Sequence, residues 1–300
     1  MKVLISADME GTCGVVSWVQ VIPPDVGGAG RATSTVEYER ARMRMTKEVN
    51  AATEGAFAAG ADEVIVNESH DGMRNLIPEE LHPGITYHDG TDPEPRVVGS
   101  VRFITGSDKE FSMMQGIQEP DIAAVFFTGY HARAGTPAAP LAHSFTGWVQ
   151  DIRVDGVSMG EYGLNALVAG HYGVPVALVT GYDKAVAQTR ELLGDAVVGV
   201  EVKEGYSTTA AIHLHPNRAQ DLIREGAKRA VTNLASMKPY TLPHGATVEV
   251  ELDHQSKVDT ALRIPGVERT AWRTCSFQPA DAAELMTVFQ AILTAAGTQR

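Results

Sequence analysis

Short, almost continuous apolar runs alternate over the first two-thirds of the chain with longer segments in which apolar residues recur at helical spacing. That is the pattern of parallel strands joined by crossover helices. "VLIS" reads as the first strand, "DEVIVNESH" as the second, "DIAAVFFTGYH" as the third and "VPVALVTG" as another. Between them, "VEYERARMRMTKEVNAATEGAFAAG" is a helix closed by Gly60, and "EYGLNALVAGHYG" and "YDKAVAQTRELLG" are further helices. "GWVQDIRVDGVSMG" alternates and turns at Asp155-Gly156, which predicts a hairpin. Past residue 195 the strands lengthen and alternate ("VVGVEVKEGYS", "ATVEVELD"), with helices around 216–236 and 280–296. The expected fold is therefore α/β: a doubly wound, mainly parallel sheet domain over 1–195, followed by a smaller α+β domain over 196–300.

Composition narrows the function classes. A 300-residue chain with 25 basic and 37 acidic side chains carries a formal charge of -12, which repels phosphate backbones and anionic lipid, so no nucleic-acid or membrane partner is expected. No run approaches the ~20 apolar residues of a membrane span, and the N-terminal apolar run is too short for a signal peptide, so the expected location is the cytoplasm. The 2 cysteines, Cys13 and Cys275, are far apart and suggest neither a disulfide framework nor a thiolate metal site. Cys13 reads as a small apolar thiol in a tight Gly-flanked loop rather than a nucleophile. The Gly-rich loop at 27–30 has neither of the phosphate-binding glycine spacings.

The polar residues collect where the apolar runs stop. The first strand ends at Asp8 and Glu10, the second at Asn67-Glu68-Ser69-His70, the third at Tyr130-His131-Ala132-Arg133. In an open parallel sheet these carboxyl ends share one edge, where ligands bind. Asp8 and Glu10, at i and i+2, point the same way if the strand geometry persists through Met9. Holding two like charges together in a partly desolvated place is costly unless something positive joins them. Carboxylates with neutral imidazoles form the ligand set of a catalytic zinc or similar divalent site. Each residue alone has an ordinary reading: a single histidine after a strand is commonly a hydrogen-bonded or solvated group, and Asp8 could cap a turn. Spacing therefore leaves both a metal site and a purely structural role open.

"SADMEG", "VNESHDGMRNL", "GYHARAGTP", "AHSFTG" and "GEYGLNALVAGHYGVPV" together resemble, in order, the zinc-dependent D-aminopeptidases of the M55 peptidase family. The resemblance covers the chain to about residue 180; beyond that it extends mainly to length and α/β pattern. It implies two zinc ions per subunit, bridged by Asp8, with Glu10, His70, His131 and Glu161 as the other ligands, and His143 as the catalytic histidine. It pairs His131 with Glu10 on one ion and His70 with Glu161 on the other. It also implies removal of an N-terminal D-amino acid from short peptides or amides such as D-Ala-D-Ala, by subunits assembled in a homodecameric ring. Without the resemblance, Glu161 is a first-turn carboxylate favoured by its helix N-terminus, and His143 is a loop histidine. Arg133 and Asn165 read as groups around the site or as ordinary packing residues; His82, His88, His213, His215, His244 and His254 match nothing in the pattern.

The chain departs from the family in a longer Pro/Gly segment at 22–34, in Thr12-Cys13 where Ile-Ser is common, and in an extended region at 84–102. Such loops can reshape a pocket entrance without disturbing the fold. Two other readings stay open: a two-metal hydrolase of another bond, such as a different amidase or a phosphoesterase, and a non-catalytic dipeptide-binding protein.

Overall fold

The computed structural model describes residues 1–25, 33–87 and 96–299. The loop at 27–30 and His88 lie outside them. Its strands are β1 (Lys2–Ala7), β2 (Glu63–Glu68), β3 (Gly84–Tyr87), β4 (Arg96–Ile104), β5 (Ile122–Tyr130), β6 (Val149–Val154), β7 (Val157–Ser158), β8 (Val176–Tyr182), β9 (Val198–Ser207), β10 (Ala210–His213), β11 (Val248–Leu252), β12 (Glu268–Ala271) and β13 (Thr274–Phe277). The helices are α1 (Trp18–Val21), α2 (Thr35–Ala58), α3 (Glu161–His171), α4 (Asp183–Leu193), α5 (Pro216–Thr232), α6 (Gln255–Ala261) and α7 (Ala282–Gly297).

The large sheet has 8 strands in the order β10-β9-β8-β5-β1-β2-β4-β3. Its six inner strands are parallel, and the edge strands β10 and β3 run antiparallel to their neighbours. From β1 the chain winds outward to β2 and β4; it then returns to β5 on the other side and winds out through β8 and β9. The direction of winding reverses between β1 and β5, which opens a crevice at their carboxyl ends.

Alternation along β1 sends Val3, Ile5 and Ala7 into one core and Leu4 into the other. The first core is covered by α2 and α5, which pack on each other; the second lies under α3 and α7 and is continuous with the interior of the smaller sheet. That smaller sheet has 5 antiparallel strands in the order β12-β13-β11-β6-β7. The hairpin expected at Asp155-Gly156 is β6–β7, with both turn residues at positive φ (49° and 79°).

The two sheets do not separate at residue 195. β9, whose alternation suggested the start of a second unit, extends the parallel sheet beside β8, and β10 and α5 stay with it. Conversely, β6 and β7 leave the first half of the chain to pair in the small sheet. Alternation is a property of any strand with one solvated side, so it marks the outer part of a parallel sheet as readily as an antiparallel one. Among the described residues no helix is long and apolar enough to cross a membrane.

Candidate active site

The crevice between β1 and β5 is where the charged residues gather. Asp8 and Glu10 do not continue β1 in extended form: the strand ends at Ala7 and a turn follows, closed by the Thr12 N–H donating to the Met9 carbonyl at 3.1 Å. The turn is pressed onto the end of β5. The Gly11 N–H donates to Gly129 O at 2.7 Å, a Cβ on Gly11 would stand 2.0 Å from the Tyr130 carbonyl oxygen, and one on Gly129 (φ +67°) would stand 2.2 Å from that of Asp8. Only glycine permits both approaches. The two carboxylates nevertheless meet, at His70: its Nδ1 lies 3.0 Å from Glu10 Oε2 and 3.4 Å from Asp8 Oδ1.

His70 comes from the loop after β2. The buried Glu68 carboxylate accepts from the Asn75 and Leu76 N–H groups, and the Asn75 amide donates to His70 O at 2.7 Å, so the loop is fixed around the imidazole. His131 follows β5 directly; its Nε2 lies 3.2 Å from Glu161 Oε1 and 3.5 Å from Asp8 Oδ2. Glu161 opens α3 behind the N-cap Gly160 and accepts from the Phe145 N–H at 2.6 Å. His143 stacks on His131, and its Nε2 lies 3.9 Å from Glu161 Oε1. Asp8, Glu10, His70, His131 and Glu161 are all buried.

All three imidazoles are held in the same manner. His70 Nε2 meets Val21 O at 2.8 Å, His131 Nδ1 meets Ala132 O at 3.0 Å, and His143 Nδ1 meets Leu141 O at 2.8 Å. A carbonyl only accepts, so in each ring that nitrogen carries the proton and, in a neutral ring, the other presents a lone pair to the cluster. Lone pairs facing carboxylates call for a cation. Asp8 Oδ2, Glu10 Oε2 and His131 Nε2 are also buried without a hydrogen-bond partner of good geometry. Two donors bound at about 2.1 Å to one tetrahedral zinc stand about 3.4 Å apart. The nitrogen–oxygen separations just given have that spacing.

Protons are the alternative source of positive charge. Burial, aided by the charge of Glu10, pushes the Asp8 carboxyl up to about 7. For His131, burial opposes charging, but the carboxylates of Glu161, Asp8 and Glu10 outweigh it and push the imidazole up to about 10. Each group is strained toward the protonation state that best neutralises the others, the condition a divalent ion relieves. Donor atoms of Asp8, Glu10 and His131, and of His131, His143 and Glu161, each lie within 4.8 Å of one another.

All the residues expected at the site are thus brought together. The distances are compatible with more than one division between two ions: the shortest approaches join His70 to Glu10 and His131 to Glu161, while donor atoms of Asp8, Glu10 and His131, the expected grouping, also lie within 4.8 Å of one another. Asp8, Glu10, His70, His143 and Glu161 line a cavity of about 1050 Å³, together with Trp18, Met73, Phe145, Trp148 and Leu293 among others. Trp18, on α1, meets His143 edge-on at 5.3 Å between ring centres. Sequence reasoning missed Trp18 and Phe145, since neither an aromatic in a short helix nor a main-chain N–H leaves a signal in spacing. Asn165 donates to the Tyr130 hydroxyl at 2.9 Å beneath the site. The unmatched His82, His213, His215 and His254 each accept a main-chain N–H in a turn, loop or helix cap.

Comparison with known proteins gives the family. The chain is 35% identical over 295 residues to the D-aminopeptidase of Bacillus subtilis (strain 168), covering 98% of this chain and 96% of that one. Its fold matches the solved structure of DppA from Bacillus subtilis, a zinc-dependent D-aminopeptidase and self-compartmentalizing protease, with a TM-score of 0.86, 33% identity and coverage of 99% and 98% of the two chains. The peptidase M55 (D-aminopeptidase) family matches residues 1–291, and the chain therefore belongs to this family of peptide hydrolases.

Proposed function

We propose that the protein is a dinuclear zinc aminopeptidase that removes the N-terminal residue, of D configuration, from short peptides or amides. The observation that carries this is the set of buried imidazole lone pairs and unpartnered carboxylate oxygens converging at ligand spacing on Asp8. Asp8 would bridge two ions, Glu10 and His70 would complete one site, and His131 and Glu161 the other. Zinc held there would supply a Lewis acid for the scissile carbonyl and lower the pKa of a water to about 7.

The protein's own groups do the rest. His143 Nε2 is free beside Glu161, while its Nδ1 is fixed on Leu141 O, so the ring can take a proton at Nε2 and return it to the departing amine. Trp18 keeps that ring in place. Among the described residues lining the cavity there are carboxylates (Asp71 besides the cluster) and no lysine or arginine. That lining suits a substrate that enters with a free ammonium group. It lacks the guanidinium or ammonium fork with which phosphate esters are commonly recognised, which disfavours the phosphoesterase reading. D configuration rests on the relatives, as does self-compartmentalising assembly, for which a decameric ring is the proposed form.

The deciding measurement is hydrolysis of matched D- and L-aminoacyl amides and dipeptides, D-Ala-D-Ala included, alongside a generic phosphoester, by zinc-loaded protein. Release of the N-terminal D-residue alone is expected. Turnover of the phosphoester but no amide would replace the reading.

A further inference from the structure

The turn after β1 carries Glu10 and is drawn along the carboxyl edge of the sheet toward β9 and β10. Polar groups that sequence reasoning leaves unassigned grip it there. Gly14 N–H donates to His213 Nδ1 at 3.0 Å, Arg44 Nη1 donates to Gly14 O at 3.0 Å, and Cys13 N–H donates to Glu48 Oε1 at 2.8 Å. At the centre is Lys203 of β9, which is 3% exposed. Its Nζ donates to the carbonyls of Glu10 at 2.6 Å, Thr12 at 3.1 Å and Val15 at 2.5 Å. Those bonds use all three N–H groups of an ammonium. The cation also lies 5.5 Å from the centre of the Tyr182 ring, whose hydroxyl accepts the Ala132 N–H at 2.8 Å, next to His131.

A buried ammonium is costly, and packing alone would be served better by an apolar side chain. What the lysine supplies is convergence: three carbonyls of one short turn are aimed at a single point. Were the ammonium absent, the Glu10 and Val15 carbonyls would lose the partner they share, Thr12 O would keep only the Val15 N–H at 3.2 Å, and the turn would open. We propose that Lys203 is a positioning residue for Glu10, holding the turn after β1 in the conformation in which the Glu10 carboxylate reaches its cation. This inference rests on the zinc reading of the site. It concerns the lysine's bonds to the turn, not a contact with substrate.

The test is zinc binding to the metal-stripped full-length chain, followed by competition with a chromophoric chelator at neutral pH. Lys203→Met is compared with the parent and with Glu10→Gln, and folding is followed by circular dichroism and melting of the metal-free proteins. The expected result is a folded K203M protein whose weaker zinc site loses about ten- to a hundred-fold in affinity, the range seen when support behind a ligand is removed. E10Q should lose at least as much at the same site. A folded K203M protein that binds zinc within about twofold of the parent, while E10Q does not, overturns the positioning role; the same holds if only the metal-free melting temperature falls. If E10Q itself binds zinc like the parent, the zinc reading fails instead. Should K203M not fold, Lys203→Gln, which keeps two donors for the carbonyls, is measured against the same limits.

Discussion

The imidazoles of His131 and His143 lie face to face, their centres 4.1 Å apart and their planes 11° from parallel. Two positive rings would repel each other in that arrangement, and burial together with the charge on His131 lowers the pKa of His143. In the metal-free protein His143 is therefore held neutral. Its Nε2 is free to take a proton that His131, facing Glu161 and Asp8, cannot accept. His143→Ala is expected to keep its zinc, measured by metal analysis, and to lose about a hundred- to ten-thousand-fold in kcat. Near-normal turnover would remove His143 from the reaction.

The shortest nitrogen–oxygen distances pair His70 with Glu10 and His131 with Glu161, on either side of Asp8, and the proposed division of ligands follows them. Stoichiometry should follow that division. Asp8→Asn is expected to lose both ions and all activity, whereas His70→Ala and His131→Ala should each retain one. Anomalous scattering at the zinc edge would show which position survives in each variant. If His70→Ala left only the ion beside Glu10, the division would be reversed.

Glu48, buried on α2, accepts the Cys13 N–H with one oxygen while the other has no partner. Burial pushes this carboxyl up to about 7, well above its ordinary value in an unfolded chain. The folded protein then holds this proton more tightly than the unfolded one. The group's contribution is fully present below about pH 4 and is lost as pH rises through about 7. Glu48→Gln, which keeps the acceptor and cannot ionise, should therefore gain stability relative to the parent between about pH 5 and pH 8, by of order 3 kcal/mol. Urea unfolding at the two pH values checks it. Parallel losses in both proteins would show that Glu48 is ionised at no unusual cost.

The inner strands were legible because both of their faces are covered, so β1, β2, β5 and β8 are written as apolar runs. The clustering of the proposed ligands was legible for a related reason: a parallel sheet gathers its carboxyl ends, and Asp8, His70 and His131 each stand just past one. What spacing could not carry was geometry fixed by distant chain. Asp8 and Glu10 converge through a turn pinned by Gly129 and Lys203, not through an extended strand. The pairing of β6 with β11 joins residues about a hundred positions apart, and the local alternation of β9 says nothing of which sheet it enters. Lys203 and Glu48 look like ordinary solvated charges in sequence, because charge alone does not reveal burial. Which histidine faces which glutamate is likewise decided only when the strands are set side by side.

Glu161 is the third residue beyond β7, at the point where the chain returns from the small sheet to the large one. That hairpin is held by β11, and Phe145, whose N–H grips the Glu161 carboxylate, rests against Phe289 of α7 at 4.8 Å between ring centres. Among the described residues the last quarter of the chain adds no side chain to the ligand cluster, yet through Phe289 and β11 it sets the height at which one carboxylate enters the crevice. Trimming it away would not leave a minimal catalyst. It would leave a pocket with one corner unanchored.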